Sequence, residues 1–228
     1  MKQLSLIITG VVLCVFLCLS CKKDSTLTPQ DMGYSFFPYR AGSYMIYNVD
    51  STYYDDFHHS VNNHKFLLKE FFESWFTDAQ GRPCLRMERW VKMSDSTDWF
   101  LRDVWYSCLT NSFAERLEEN VRMTRLVFPV RTGYKWDGNA FNENNAQIYK
   151  YDKVDKPYIL NSSLYDSTVK VNQKLSSNLV EEDNQYEIYA RHVGLIFKKY
   201  KSVKKDFVTG DIISGVDYTW ELIDYGHN

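Results

Sequence analysis

"CLRMERWVKM" (84–93), "SDST" (94–97) and "DWFLRDVWYSC" (98–108) read in succession as strand, turn and strand. Aromatic and aliphatic residues that favour strands fill both arms, and Ser and Asp fill the turn. Charge sets the pairing register. With the turn centred on Ser96, Met93 faces Trp99, Val91 faces Leu101, Arg89 faces Asp103, Met87 faces Trp105 and Cys84 faces Cys108. The result is an apolar face carrying one opposite-charge pair. A slip of one residue sets Arg89 against Arg102 and Glu88 against Asp103. Like charges directly opposite each other are unfavourable, so the first register is expected. Directly opposed strand residues come close enough to bridge, which places Cys84 and Cys108 in disulfide range.

Outward from this hairpin the strand pattern continues. "KFLLKEFFESWF" (65–76) fits a helical stripe through Leu68, Phe72 and Trp75 or Phe76. It runs through the turn "TDAQGRP" (77–83) straight into the hairpin, which favours a strand. Further strands are expected at 43–49, 121–128, 146–154, 164–173, 185–190, 193–203 and 216–225. "VTGDIISG" (208–215) reads as the turn before the last of these, and "DGNAFNENN" (137–145) as a long loop. The fold class expected is mainly β, an antiparallel sandwich or an open half-barrel.

One word occurs twice. "FPYRAGSYM" (37–45) and "FPVRTGYKW" (128–136) both spell F-P-x-R-x-G before an aromatic segment. Pro lacks an N–H and ends pairing, and Gly42 and Gly133 permit positive φ at a turn. The word is a strand–turn–strand joint. With the echo of "VDSTYY" (49–54) in "YDSTVK" (165–170), it suggests two related β units, 33–127 and 128–228, packed as one domain.

Composition agrees. The 228 residues include 17 Tyr, 14 Phe and 6 Trp, enough for a packed core, and the net charge of −2 offers no basic face for nucleic acid. "FKKYKSVKK" (197–205) is the one basic run and reads as the wet face of a strand.

Residues 1–20 form a signal peptide: Lys2, then an apolar run from Leu4 to Leu19 shorter than the roughly 20 residues that span a bilayer. The run ends at Ser20-Cys21, which resembles the lipobox of bacterial lipoproteins, with Cys18 where such boxes usually carry Leu. The resemblance implies diacylglycerol on the Cys21 sulfur, a membrane anchor there, and a polar tether over 21–32. Lys22-Lys23-Asp24 matches the mainly acidic surface-export signals of Bacteroidota only in part, so either face of the outer membrane is open.

F-P-x-x-x-G-x-x-W/Y (within 37–57 and 128–142), V-D-S-x-x-Y-D-D-F (49–57), Y-A-R-x-V-G-L-I (189–196) and W-E-L-I-x-Y (220–225) resemble a family of uncharacterised Bacteroidota outer-membrane lipoproteins. The resemblance implies a β-rich envelope protein and transfers no catalytic residue. The tripeptide D-S-T also resembles the acceptor pattern of Bacteroidota O-glycosylation, which implies Ser25, Ser51, Ser96 and Ser167 as candidate sites. As plain vocabulary, Asp-Ser is equally common in turns.

Catalytic fingerprints for nucleophile elbows, zinc proteases, P-loops and dinucleotide folds are absent from the sequence. Asp55, Asp56, His58, His59 and His64 in "YYDDFHHSVNNH" (53–64) carry metal-ligand chemistry, yet their spacing matches no fingerprint and also suits a polar hairpin tip. The pairs Glu118-Glu119 and Glu181-Glu182 lie beside turn residues and lack the burial that tunes glycosidase acids. No cofactor or metal is expected. The reading is a lipid-anchored envelope protein that binds a protein or glycan partner or serves structurally. Two alternatives stay open: a carrier of an apolar molecule in a half-barrel, and a hydrolase or metal-dependent enzyme.

Overall fold

The structure, a computed structural model, describes residues 30–37 and 39–227. Cys21 and Ser25 lie outside the described residues, as does Pro38 of the first F-P-x-R-x-G copy. After a short 3₁₀ turn (Tyr34–Phe36) come twelve strands: β1 (Ser43–Asp55), β2 (Ser60–Thr77), β3 (Pro83–Lys92), β4 (Phe100–Leu109), β5 (Phe113–Glu118), β6 (Val121–Val127), β7 (Lys135–Asp137), β8 (Ile148–Leu160), β9 (Ser163–Ser177), β10 (Glu181–Ala190), β11 (Gly194–Lys205) and β12 (Ile212–His227). They form one antiparallel sheet in the order β6-β5-β4-β3-β2-β1-β12-β11-β10-β9-β8-β7. Two six-stranded meanders, β1–β6 and β7–β12, therefore join through β1 and β12. The sheet curls until its two edges nearly meet, and of the two expected architectures the open barrel is the one observed.

The nearly closed seam lies between β6 and the β7–β8 hairpin. The Thr124 N–H donates to the Gly138 carbonyl at 2.9 Å. The Trp136 indole N–H donates to the Thr124 carbonyl at 3.0 Å, and the Tyr151 hydroxyl bonds both the N–H and the carbonyl of Val127 at 2.9 and 2.8 Å. Side chains thus satisfy edge groups that a closed barrel would satisfy by strand pairing. The expected loop at 137–145 belongs to this seam: its Asn142 amide donates to the Arg122 carbonyl at 2.8 Å.

The ambiguous stretch 65–76 is a strand, and Leu68, Glu70 and Phe72 alternate onto its buried face. The β3–β4 register runs as expected from Cys84↔Cys108 to Arg89↔Asp103, then shifts to Trp90↔Leu101 and Val91↔Phe100. The expected Val91–Leu101 and Met93–Trp99 pairs are therefore corrected. A β-bulge at Arg102 takes up the extra residue, and bulges re-aim side chains. Two more corrections concern boundaries. Strand β5 is absent from the sequence reading, because Ala114 and Arg116 point inward and no apolar alternation marks it. Residues Ile212 to Gly215 belong to β12, and the turn occupies the stretch before them.

The R-x-G parts of the two F-P-x-R-x-G copies form the same turn. Gly42 and Gly133 have φ of +84° and +83°, and each N–H donates to the second strand of its own meander, to Phe72 at 2.7 Å and Tyr151 at 2.8 Å. The next N–H in each copy donates back to the Arg carbonyl, at 3.3 Å from Ser43 and 3.1 Å from Tyr134. The D-S-T echo does not match in this way: its copies fall on β1, first in its meander, and β9, third in its own.

Candidate functional site

The barrel interior combines an apolar floor with an ion network. Phe36, Tyr47, Leu68, Phe72, Met87 and Ile196 are fully buried. Among them Glu70 of β2 meets Arg116 of β5 at 3.3 Å and Arg89 of β3 at 3.5 Å. Arg89 donates to Asp103 of β4 at 2.8 Å, the pair that the hairpin register brings together. Arg125 of β6 donates to Glu118 at the end of β5 and reaches Glu187 of β10 at 3.4 Å. Glu187 also lies 3.4 Å from Lys198 of β11 and accepts the Tyr189 hydroxyl at 2.5 Å. The network crosses from one meander to the other.

Strand period explains how these charges enter. Glu70 shares a face with Leu68 and Phe72, Arg116 with Ala114, and Glu187 with Tyr189. Taking a charge out of water is expensive unless it is paired, and here each cation meets a carboxylate. Burial alone would raise the Glu187 carboxyl, but Arg125, Lys198 and Tyr189 outweigh it and hold it down at about 2. Burial acts the same way on Glu118, and Arg125, Lys198 and Arg116 bring it below the usual carboxylate range. For Lys198 burial favours the neutral form, and Tyr218 and Glu187 keep it charged.

Beside the network a half-open cavity of about 400 Å³ faces the end of the barrel that carries the β1–β2, β3–β4, β5–β6 and β11–β12 hairpins. Its wall includes Phe66, Arg89, Trp105, Glu118, Lys198, Tyr218 and Trp220, with Ser51, Arg102 and Glu119 toward the exposed rim. The Arg89 guanidinium stacks 3.7 Å from the Trp105 ring centre and 5.4 Å from that of Trp220. Tyr200, Tyr218 and Trp220 form a stacked ladder, with centroids 5.0 and 6.1 Å apart. The Trp105 indole N–H donates to Glu119 at 3.0 Å, which fixes the ring from the rim. The Arg102 bulge brings that side chain into the same wall. Toward the opposite end Phe36 is fully buried, with the Arg191 guanidinium 4.4 Å over its ring.

The residues singled out by sequence are placed as follows. Cys84 and Cys108 are joined as a disulfide with Cα atoms 4.4 Å apart, beneath the 77–83 turn. Asp55 pairs with His58 at 2.7 Å on the β1–β2 tip. His59 and His64 do not join them in a ligand cluster. Among the described residues the one trio of ligand atoms within 4.8 Å is Asp78, Cys84 and Cys108, whose sulfurs are bonded to each other. Ser96 is exposed on the β3–β4 turn. Ser51 is half-buried at the cavity, and Ser167 donates to Asp155 at 2.6 Å and accepts from Arg191 at 2.9 Å. Glu181 is exposed, and Glu182 pairs with Lys201 at 2.6 Å.

Two readings need correction. Glu118 is drawn into the network instead of resting on an open turn, and Lys198 of the basic run is buried, while Lys199 and Lys201 are half-buried and paired with Asp217 and Glu182. Arg125, Glu187 and Trp220 were not singled out by sequence. Hydrophobic patterning hides Glu187, because its buried face also carries Asp183 and Gln185 and no apolar alternation marks it.

No protein-family model matches the sequence, and no curated protein matches it. Solved structures to which the chain is similar include a protein from Bacteroides fragilis assigned as exported, with a YmcC-like fold. It is 10% identical with a TM-score of 0.48, covering 84% of this chain and 98% of that one. Another, from Parabacteroides distasonis and assigned as a lipoprotein, is 12% identical with a TM-score of 0.43, again covering 84% and 98%.

Proposed function

We propose that the chain is a lipid-anchored protein of the outer membrane that binds a small ligand, without catalysis, in the cavity between Trp105 and Tyr218. The observation that carries the binding reading is the wall itself: aromatic faces held in place by Arg89 and Glu119 around a space within the roughly 300–1,000 Å³ range of small-molecule sites. The non-catalytic reading is supported by the carboxylates. A glycosidase acid needs a raised pKa, and Glu118 and Glu187 are both lowered. The charged wall also differs from the continuous apolar lining that a carrier of an apolar molecule requires.

The anchor rests on Ser20-Cys21 and the apolar run before it. Cys21→Ala should release the chain from the membrane fraction, and retention equal to wild type would overturn the lipoprotein reading. Protease added to intact cells separates the two faces, since only a surface-exposed chain is cut before lysis. Among the three described D-S-T serines, Ser96 is the accessible candidate for a glycan. Loss of added mass in Ser96→Ala would support that assignment, and an unglycosylated intact mass would dismiss it.

For the cavity, the detergent-solubilised full chain would be screened by thermal shift against a chemically diverse small-molecule library. Hits that disappear in Ser51→Phe, which fills the cavity, support this site. A library with no such hits would sink the binding reading.

A further inference from the structure

We propose that the cavity takes a neutral saccharide, a mono- or disaccharide, stacked on Trp105; this rests on reading the cavity as the binding site. Three observations point to that class. Charge comes first. Five cations, Arg89, Arg102, Arg116, Arg125 and Lys198, stand with five carboxylates, Glu70, Asp103, Glu118, Glu119 and Glu187, in the wall and directly behind it, and all but Glu119, which accepts from the Trp105 indole, are ion-paired. The site is balanced before any ligand arrives, so a charged ligand would leave an uncompensated charge in a partly buried space. A neutral one would not.

The second observation is the mix of hydrogen-bonding roles. Arg and Lys groups only donate, carboxylates only accept, and the Ser51 hydroxyl does both. They converge on one space, so the matching ligand carries many groups able to donate and accept at once. Hydroxyls on a ring meet that demand.

The third is the aromatic surface. Trp105 is half-buried and backed on its inner side by Arg89, whereas Tyr218 is already stacked between Tyr200 and Trp220. A ring fixed as Trp105 is offers a flat apolar face whose ordering cost is already met on folding. A pyranose has an apolar face of C–H bonds and a polar rim of hydroxyls, which fits a flat aromatic wall edged by Glu118, Glu119 and Arg102.

The test uses the tryptophans in the wall as reporters. Intrinsic fluorescence of the detergent-solubilised full chain would be titrated with glucose, N-acetylglucosamine, maltose and cellobiose, and in parallel with glucuronate and glucosamine. The expected result is a saturable change with at least one neutral sugar that exceeds its charged counterparts. Glu119→Ala, on the exposed rim, should weaken that binding about tenfold or more while the melting temperature holds. Trp105→Ala should abolish it, and Ser51→Phe checks the cavity where Trp105→Ala unfolds. Preference for glucuronate or glucosamine would overturn the neutral class, and so would flat titrations across the panel. The two failures stay separable. Library hits blocked by Ser51→Phe, with no sugar binding, would leave a binding site of another ligand class. No hits and no sugar binding would remove both readings.

Discussion

Arg125 touches Glu118 on one side and Glu187 on the other, and its side chain is only 5% exposed. Removing it as Arg125→Met leaves two carboxylates facing a poorly hydrated interior. Breaking a buried pair in this way typically costs about 3–5 kcal/mol, and urea unfolding should show a loss of that size. Arg125→Met combined with Glu187→Gln should recover part of it, because one orphan charge is gone. The same residues set an acid limit. The folded value of Glu187 is about 2, below the roughly 4.3 of a free glutamate. Between those values the unfolded chain holds the extra proton, so stability is fully present above about pH 4.5 and is lost as pH falls toward 2. Glu118 shifts in the same direction. Thermal melts from pH 6 to pH 2 should show a loss on the order of 3 kcal/mol from Glu187. A flat profile over that range would contradict the paired, ionised network. At this scale the sequence shows only part of the site. Arg89–Asp103 is visible because a hairpin register pairs them locally. Arg125–Glu187 is not, because it depends on two strands meeting across a barrel.

The hairpin of β3 and β4 shows the same division within one element. Charge pairing predicts its register up to Arg89, and the structure departs from it where Arg102 bulges out. Nothing in the local pattern announces that bulge, since it serves the cavity wall more than the pairing of the strands. The reverse holds for β5, which is short and turns Arg116 and Glu118 inward, so its period-2 signal is carried by charges and escapes hydrophobic patterning. Cys84 and Cys108 sit at the wide end of the hairpin, 24 positions apart in sequence. A loop of that length implies about 3–4 kcal/mol of stabilisation by constraint of the unfolded chain. Cys84→Ser with Cys108→Ser should lower unfolding free energy by about that amount, and alkylation under denaturing conditions without reductant should label neither cysteine of the wild type. Labelling of both would show that the pair is reduced in the protein as isolated.

The molecule is two six-stranded meanders in one sheet, and the turn before each of them is where the sequence is most explicit about that plan. Gly42 and Gly133 share φ and place in the chain order, and each N–H donates to the second strand of its own meander, so the repeated R-x-G marks a repeated turn. The overall closure is less visible, because no residue before folding identifies β1 and β12, the first and last strands, as neighbours. Their ladder is long, from Ser43↔His227 to Tyr54↔Gly215, with one irregularity at Ile46/Tyr47. The other junction, between β6 and β7–β8, relies on the Thr124–Gly138 backbone bond and on the side chains of Trp136, Asn142 and Tyr151. The barrel should therefore open there first. Hydrogen exchange should find β6 amides at least about tenfold faster than those in the middle of β1 and β12, since local opening needs less free energy where fewer bonds are lost. Tyr151→Phe deletes both bonds to Val127 and should speed exchange at Val127 further while leaving β1 and β12 unchanged. Equal protection of β6 and β1 would mean that the seam is as firmly closed as the ladder opposite it, and that the two meanders open only together.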